Sequence, residues 1–157
     1  MSHDPPEMFT RIYARHGHRC PMSTLGGRLG LAALKWLGDC DGELQAIYSN
    51  RTCATDGIAE TTGCTEEKGS LIVKNDGRHA LILSSSQASV EVELTAEALE
   101  MAGRYRSLCN RLENGWDELE ADEQAKRRAE MDAMLDELLP QFWKAGDQKL
   151  VQMIIKK

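Results

Sequence analysis

Two imidazoles and a thiol stand within five residues at His16-Gly17-His18-Arg19-Cys20, and Pro21 follows. Imidazole nitrogen and cysteine sulfur are the main protein ligands of zinc and other borderline-soft metals. If the loop is extended, the alternating His16, His18 and Cys20 converge, and Pro21 biases Cys20 toward extended backbone. Cys20 also precedes a helical pattern. A helix N-terminus stabilises thiolate, the form that ligates a metal or attacks an electrophile.

The elements around this loop predict what else reaches it. Pro21 suits the first turn of a helix running from about Ser23 to Leu37, with apolar residues at Leu25, Leu29, Ala32, Ala33, Trp36 and Leu37. Gly26, Gly27 and Gly30 lie inside it. Each costs about 0.5–1 kcal/mol relative to alanine, so their presence implies a backbone packed against a sheet, a second helix or a ligand. A tight turn at Asp39 to Gly42 leads to a largely buried strand, Leu44 to Tyr48. The strand should return antiparallel to the helix, which brings Cys53, at the start of the next helix (Ala54 to Thr62), near Cys20. Asp56, about one turn on, is placed to act as ligand, base or partner to an imidazole. Cys64 lies eleven residues past Cys53, roughly 15 Å along a straight helix. One ion cannot take both sulfurs, so Cys64 belongs to the pocket surroundings, to a partner protomer or to the core.

Three strands follow, Ser70 to Lys74, His79 to Ser84 and Ala88 to Leu94. Asn75-Asp76-Gly77 signals a hairpin between the first two. At Thr95 the composition changes to two charged helices, about 95–112 and 122–139, the second perturbed at its end by Pro140. A last strand spans about Lys149 to Ile155. The expected fold class is α+β, with a mixed β-sheet carrying helices on one face. The expected organisation is an α+β core over residues 1–94 and a C-terminal helical hairpin with closing strand over 95–157.

At 157 residues the chain is long enough for a hydrophobic core without disulfide staples. A net charge of −6 argues against a general nucleic-acid role. No apolar run is long enough for a membrane span, and the first residues lack the pattern of a secretory leader. The expected address is the cytoplasm, where thiols stay reduced, and five cysteines do not close a disulfide set. Cys40 and Cys109 are expected to be core filler, and His79 a turn or edge residue.

Taken in order, His16-Gly17-His18-x-Cys20-Pro21, Leu25-Gly26-x-Arg28-x-Gly30, Cys53-x-x-Asp56 and Gly63-Cys64-Thr65-x-x-Lys68-Gly69-x-Leu71 resemble the FmdE family, named for a component of formylmethanofuran dehydrogenase. The resemblance is strong over residues 9–94 and weak at Lys149-Leu150-Val151. It implies an α+β core similar to the catalytic half of glyceraldehyde-3-phosphate dehydrogenase. It also implies a metal-binding, usually zinc-binding, homodimer, in some organisms associated with molybdenum or tungsten enzymes. His16, His18, Cys20, Cys53, Asp56 and Cys64 fall on the family's motif positions. Met22 stands where the family usually has glycine, and Glu66-Glu67 replaces an aromatic-glycine pair; both alter the presumed pocket rim.

Three readings follow. The first is a metal-binding accessory protein for a molybdenum, tungsten or other redox enzyme, holding Zn2+ or another transition metal through His16, His18, Cys20 and Cys53, with Asp56 and Cys64 around them. The second is an enzyme acting on a small carbonyl or formyl-type substrate through a metal-bound water or the Cys20 thiolate. The third is an interaction module whose thiols are merely buried.

Overall fold

Three glycines in one helix are explained by what lies against them. In the computed structural model, which describes residues 5–39 and 42–157, helix α2 (Pro21–Leu37) packs on α3 (Ala54–Thr62) backbone to backbone. A methyl group at Gly26 would run into the backbone of Ala54, one at Gly57 into Ser23 and Gly27, and one at Gly30 into Thr61. The contacts pair increasing numbers with increasing numbers, so the two helices run side by side in the same direction. Their N-termini therefore share one end of the molecule. Between them β1 (Gln45–Tyr48) carries the chain back.

Helix α1 (Glu7–His16) lays Phe9 and Ile12 against α2, under Gly27. After α3 come β2 (Leu71–Val73), β3 (Ala80–Ser84) and β4 (Ser89–Leu94). Two long helices follow, α4 (Ala96–Glu113) and α5 (Ala121–Lys144), separated by a short 3-10 turn. Thr95 starts α4 by accepting the Ala98 amide, as its position before Ala96-Glu97 predicts. A one-turn helix α6 (Asp147–Leu150) leads to β5 (Val151–Lys156).

The class is α+β. The five strands form one mixed sheet in the order β2-β1-β3-β4-β5, parallel only between β1 and β2. The expected β2–β3 hairpin does not form. The chain after β2 instead hydrogen-bonds to Ser49, through the amides of Asp76 and Arg78, and β1 sits between the two strands. β1 is apolar on both faces, with Ala46 and Tyr48 turned into the core and Ile47 to the other side, and inside the sheet it has strand neighbours on both edges, Ile72 and Ile82 flanking Ile47. Alternation in β4 is as expected, with Val90, Val92 and Leu94 buried and Glu91 and Glu93 partly exposed.

The second correction is in α5. The helix does not end at Pro140 but continues to Lys144, so that Phe142 is fully buried and Trp143 reaches α1. Leu135, Leu138, Leu139 and Phe142 belong to the same hydrophobic cluster as Leu25, Leu29 and Tyr48. Arg28 ties this region to α2. Its guanidinium is 6% exposed and donates to the Phe142 carbonyl and to Asp147 at 2.8 Å. Burial works to raise the Asp147 pKa, but Arg28 and Lys35 outweigh it and hold the carboxyl below its ordinary value. Cys40, expected as filler, lies outside the described residues.

The glycine contact makes a directional prediction. Gly26→Ala or Gly57→Ala should each cost about 3 kcal/mol, because backbone cannot yield as a side chain can. Gly103→Ala, in α4 with open space beside it, should gain up to about 1 kcal/mol from helix propensity. Urea melts of the three variants check this; equal effects would remove the backbone-contact account.

Candidate metal centre

The residue before α2 is Cys20 and the residue before α3 is Cys53, so parallel packing brings the two thiols together. Cys20 is extended (φ −153°, ψ 133°), the conformation Pro21 imposes. Cys53 opens α3, whose first turn is secured by the Thr52 hydroxyl accepting the Ala54 amide at 3.1 Å. His16 arrives from the last residue of α1. One ligand atom each from His16, Cys20 and Cys53 lie within 4.8 Å of one another.

The histidine is aimed. Its Nδ1–H donates to Asp56 Oδ2 at 2.8 Å, which fixes ring and tautomer and leaves Nε2 as an acceptor. That Nε2 is buried and has no hydrogen-bond partner. An unpartnered buried nitrogen is costly unless something else meets its lone pair. The thiols carry the same signal. Burial first, and then the neighbouring Cys20 thiol, push the Cys53 pKa up to about 11. Two sulfurs this close resist carrying two negative charges on their own; a cation between them reverses that balance. Donor set and orphaned nitrogen together fit a borderline-soft metal ion.

Cys20 is also held from behind. Trp143 Nε1–H donates to the Tyr13 hydroxyl at 3.0 Å, Tyr13 donates to Thr24 Oγ1 at 2.5 Å, and Thr24 donates to the Cys20 carbonyl at 2.7 Å. Burial keeps the Tyr13 hydroxyl neutral by raising its pKa. Arg19 pairs with Asp136 of α5 at 2.6 Å and closes the same loop onto the C-terminal helices.

Two expected residues are not brought in. His16 is helical rather than extended, and Gly17 turns the chain through the left-handed region (φ 100°), so the alternation expected of the loop is broken. His18 ends up exposed, its ring 4.4 Å from that of His16 and its Nδ1 bonded to the Arg19 carbonyl. Cys64 sits past the far end of α3, 1% exposed, its thiol donating to the Leu44 carbonyl at 3.5 Å; it is core, outside the pocket.

A cleft of about 520 Å³ opens beside Cys20 and Cys53. Two residues read as uninteresting in the sequence line it. Cys109 lies on α4 one turn from Tyr105, which lines the same cleft; burial raises the pKa of both. His79 faces the same cleft, with Tyr48 and Asn50 at 3.4 and 3.5 Å. Burial holds the His79 pKa below its ordinary value, against a smaller opposite pull from Glu93. The signal in sequence for Cys109 and Tyr105 was their four-residue spacing on one helix face.

The sequence matches, over residues 15–151, the family described as "FmdE, Molybdenum formylmethanofuran dehydrogenase operon". The chain belongs to the FmdE family. The structure resembles that of a tungsten formylmethanofuran dehydrogenase FmdE-like protein from Syntrophus aciditrophicus, with a TM-score of 0.58 and 24% identity, covering 94% of this chain and 70% of that one. That likeness shows the fold. The sequence is also 34% identical over 91 residues to a probable S-adenosyl-L-methionine-binding protein of Archaeoglobus fulgidus, covering 51% of this chain. The match spans 25% of that relative's length. No helix among the described residues is long and apolar enough to cross a membrane.

The position of Cys64 generates a prediction. Cys64→Ala should cost about 1 kcal/mol through lost packing and leave the His16 ring resonances unchanged in an NMR spectrum. Perturbed His16 resonances in a folded variant would place Cys64 back in the site.

Proposed function

We propose that this FmdE protein binds one transition-metal ion, zinc or one of similar preference, through His16 Nε2 and the thiolates of Cys20 and Cys53. Asp56 positions the imidazole. The observation that carries the reading is the buried, unpartnered His16 Nε2 with the thiols of Cys20 and Cys53 within 4.8 Å. A metal at this place supplies Lewis acidity and an exchangeable coordination position. In the same reading the protein serves a molybdenum, tungsten or other redox enzyme as an accessory in the cytoplasm; the operon link in the family's description supports the partner class.

A second reading is enzymatic. Structural zinc sites close with four protein ligands, whereas catalytic ones keep three and an open position. Three donors next to a cleft favour a site that takes a further ligand, such as a small carbonyl compound. S-adenosylmethionine, named for the Archaeoglobus relative, carries a sulfonium cation, and no carboxylate lines this cleft.

Metal analysis of freshly purified protein should give one ion per chain, lost in Cys20→Ala and Cys53→Ala with the fold intact by circular dichroism. Asp56→Asn should weaken binding about 10–100-fold. Because the thiols give up protons on ligation, affinity should fall as pH falls, by about tenfold per unit for each proton displaced. Metal-free protein, or full retention in both cysteine variants, would remove the site.

Self-association as a homodimer belongs to the same reading. Edge strand β5 leaves Met153, Ile154 and Ile155 between 42% and 47% exposed, which supports burial against a second copy. Sedimentation should give a mass about twice 17.5 kDa, and Ile155→Lys should return it to the monomer. A monomer at micromolar concentration would refute the pairing.

A further inference from the structure

Most of the cleft is not accounted for by the three donors. At about 520 Å³ it has the volume of a small-molecule site. Met22, Leu99 and Ala102 give it apolar walls, and its polar groups are cationic or neutral: Arg51, Arg106 and His79. No aspartate or glutamate lines it, in a chain with 25 acidic and 19 basic side chains. The two arginines differ. Arg51 is held by both oxygens of Glu66, at 3.0 and 3.2 Å, and its charge is already met. On α4, Arg104 and Arg111 are paired with Glu100 and Glu130, whereas Arg106 has no ion-pair partner among the described residues. His79 accepts from the Asn50 amide at Nε2 and faces the Tyr48 hydroxyl with Nδ1, so both ring nitrogens are engaged and it offers the cleft no free N–H. One uncommitted guanidinium over apolar walls suits a singly charged anion with a hydrophobic body; a polyphosphate would need several cations.

We propose that the cleft binds a small organic carboxylate with an apolar body, its charge met by Arg106 and its body lying against Met22, Leu99 and Ala102. The proposal deepens the metal reading, since the ligand would lie beside Cys20 and Cys53, but the contact with Arg106 stands without the ion.

The test is calorimetry with 3-phenylpropanoate, 3-phenylpropanol and acetate, on protein as purified and after chelation, with metal content measured on the same samples. Saturable binding of 3-phenylpropanoate is expected, at least about tenfold tighter than the alcohol, which lacks the charge, and than acetate, which lacks the body. Arg106→Ala, at an exposed helix position, should abolish the preference of acid over alcohol while leaving metal content and thermal midpoint unchanged. Equal binding of acid and alcohol, an undiminished preference in Arg106→Ala, or tighter binding of S-adenosylmethionine than of the acid would overturn the proposal. Protein that is metal-free as purified, before any chelation, and still prefers the acid through Arg106 would retain it and remove the metal reading instead.

Discussion

Backbone contact between α2 and α3 is the constraint on which the rest depends. Helices usually pack 8–10 Å apart because side chains stand between them. Here Gly26 and Gly57 remove the side chain on both sides, and each helix meets the other's main chain. The gain is positional. Two helices in van der Waals contact along their length, running the same way, have their first residues side by side. Whatever precedes those residues is then close in space, and what precedes them is Cys20 and Cys53. The intrinsic cost of glycine in a helix, about 0.5–1 kcal/mol each, buys a juxtaposition that no loop could hold as firmly.

The C-terminal half adds support from the opposite side. A hydrogen-bond chain from Trp143 through Tyr13 and Thr24 ends on the Cys20 carbonyl, so α5 reaches the site without touching a sulfur. Arg28 makes the same join further along α2, with a buried guanidinium satisfied by Phe142 and Asp147. Such a group is tolerable only with its partners in place. The continuation of α5 beyond Pro140 is therefore tied to the site: Phe142 and Trp143 both lie past the proline. Meanwhile α4 supplies the outer wall of the cleft through Leu99, Ala102, Tyr105 and Cys109. Core and helical pair share one hydrophobic cluster, and the site has walls from both.

Much of this was legible in the sequence where a local rule was also a global one. The glycine triplet in α2 announced a close backbone neighbour, and strand-return reasoning placed Cys53 near Cys20. What the triplet did not name was the neighbour, since Gly57 looked like an ordinary residue of a short helix. The β2–β3 pairing misled because Asn75-Asp76-Gly77 is a local turn signal, whereas strand order is decided by burial. Apolar residues on both faces of β1 favour an interior place, and β1 takes one between β2 and β3. The helix past Pro140 was hidden for a similar reason: a proline removes one hydrogen bond, and the burial of Phe142 outweighs it. Cys109 and His79 were passed over because each reads locally as a helix or turn residue, and the cleft they share is made by elements far apart in the chain.

The difference between an open and a closed donor set comes down to one residue. Had the loop been extended from His16 to Cys20, His18 would have pointed with them and offered a fourth ligand. Gly17 prevents it. Its φ of 100° ends α1 in the left-handed region, and a side chain there would meet no neighbour, so the requirement for glycine is purely conformational. Ending the helix at that point keeps His16 on α1, where Asp56 can orient it, and sends His18 out to solvent. The same turn that gives the imidazole its rigid support thus leaves His18 outside the group formed by His16, Cys20 and Cys53. A rigid three-donor set is not a fault of an incomplete motif but the outcome of how α1 terminates.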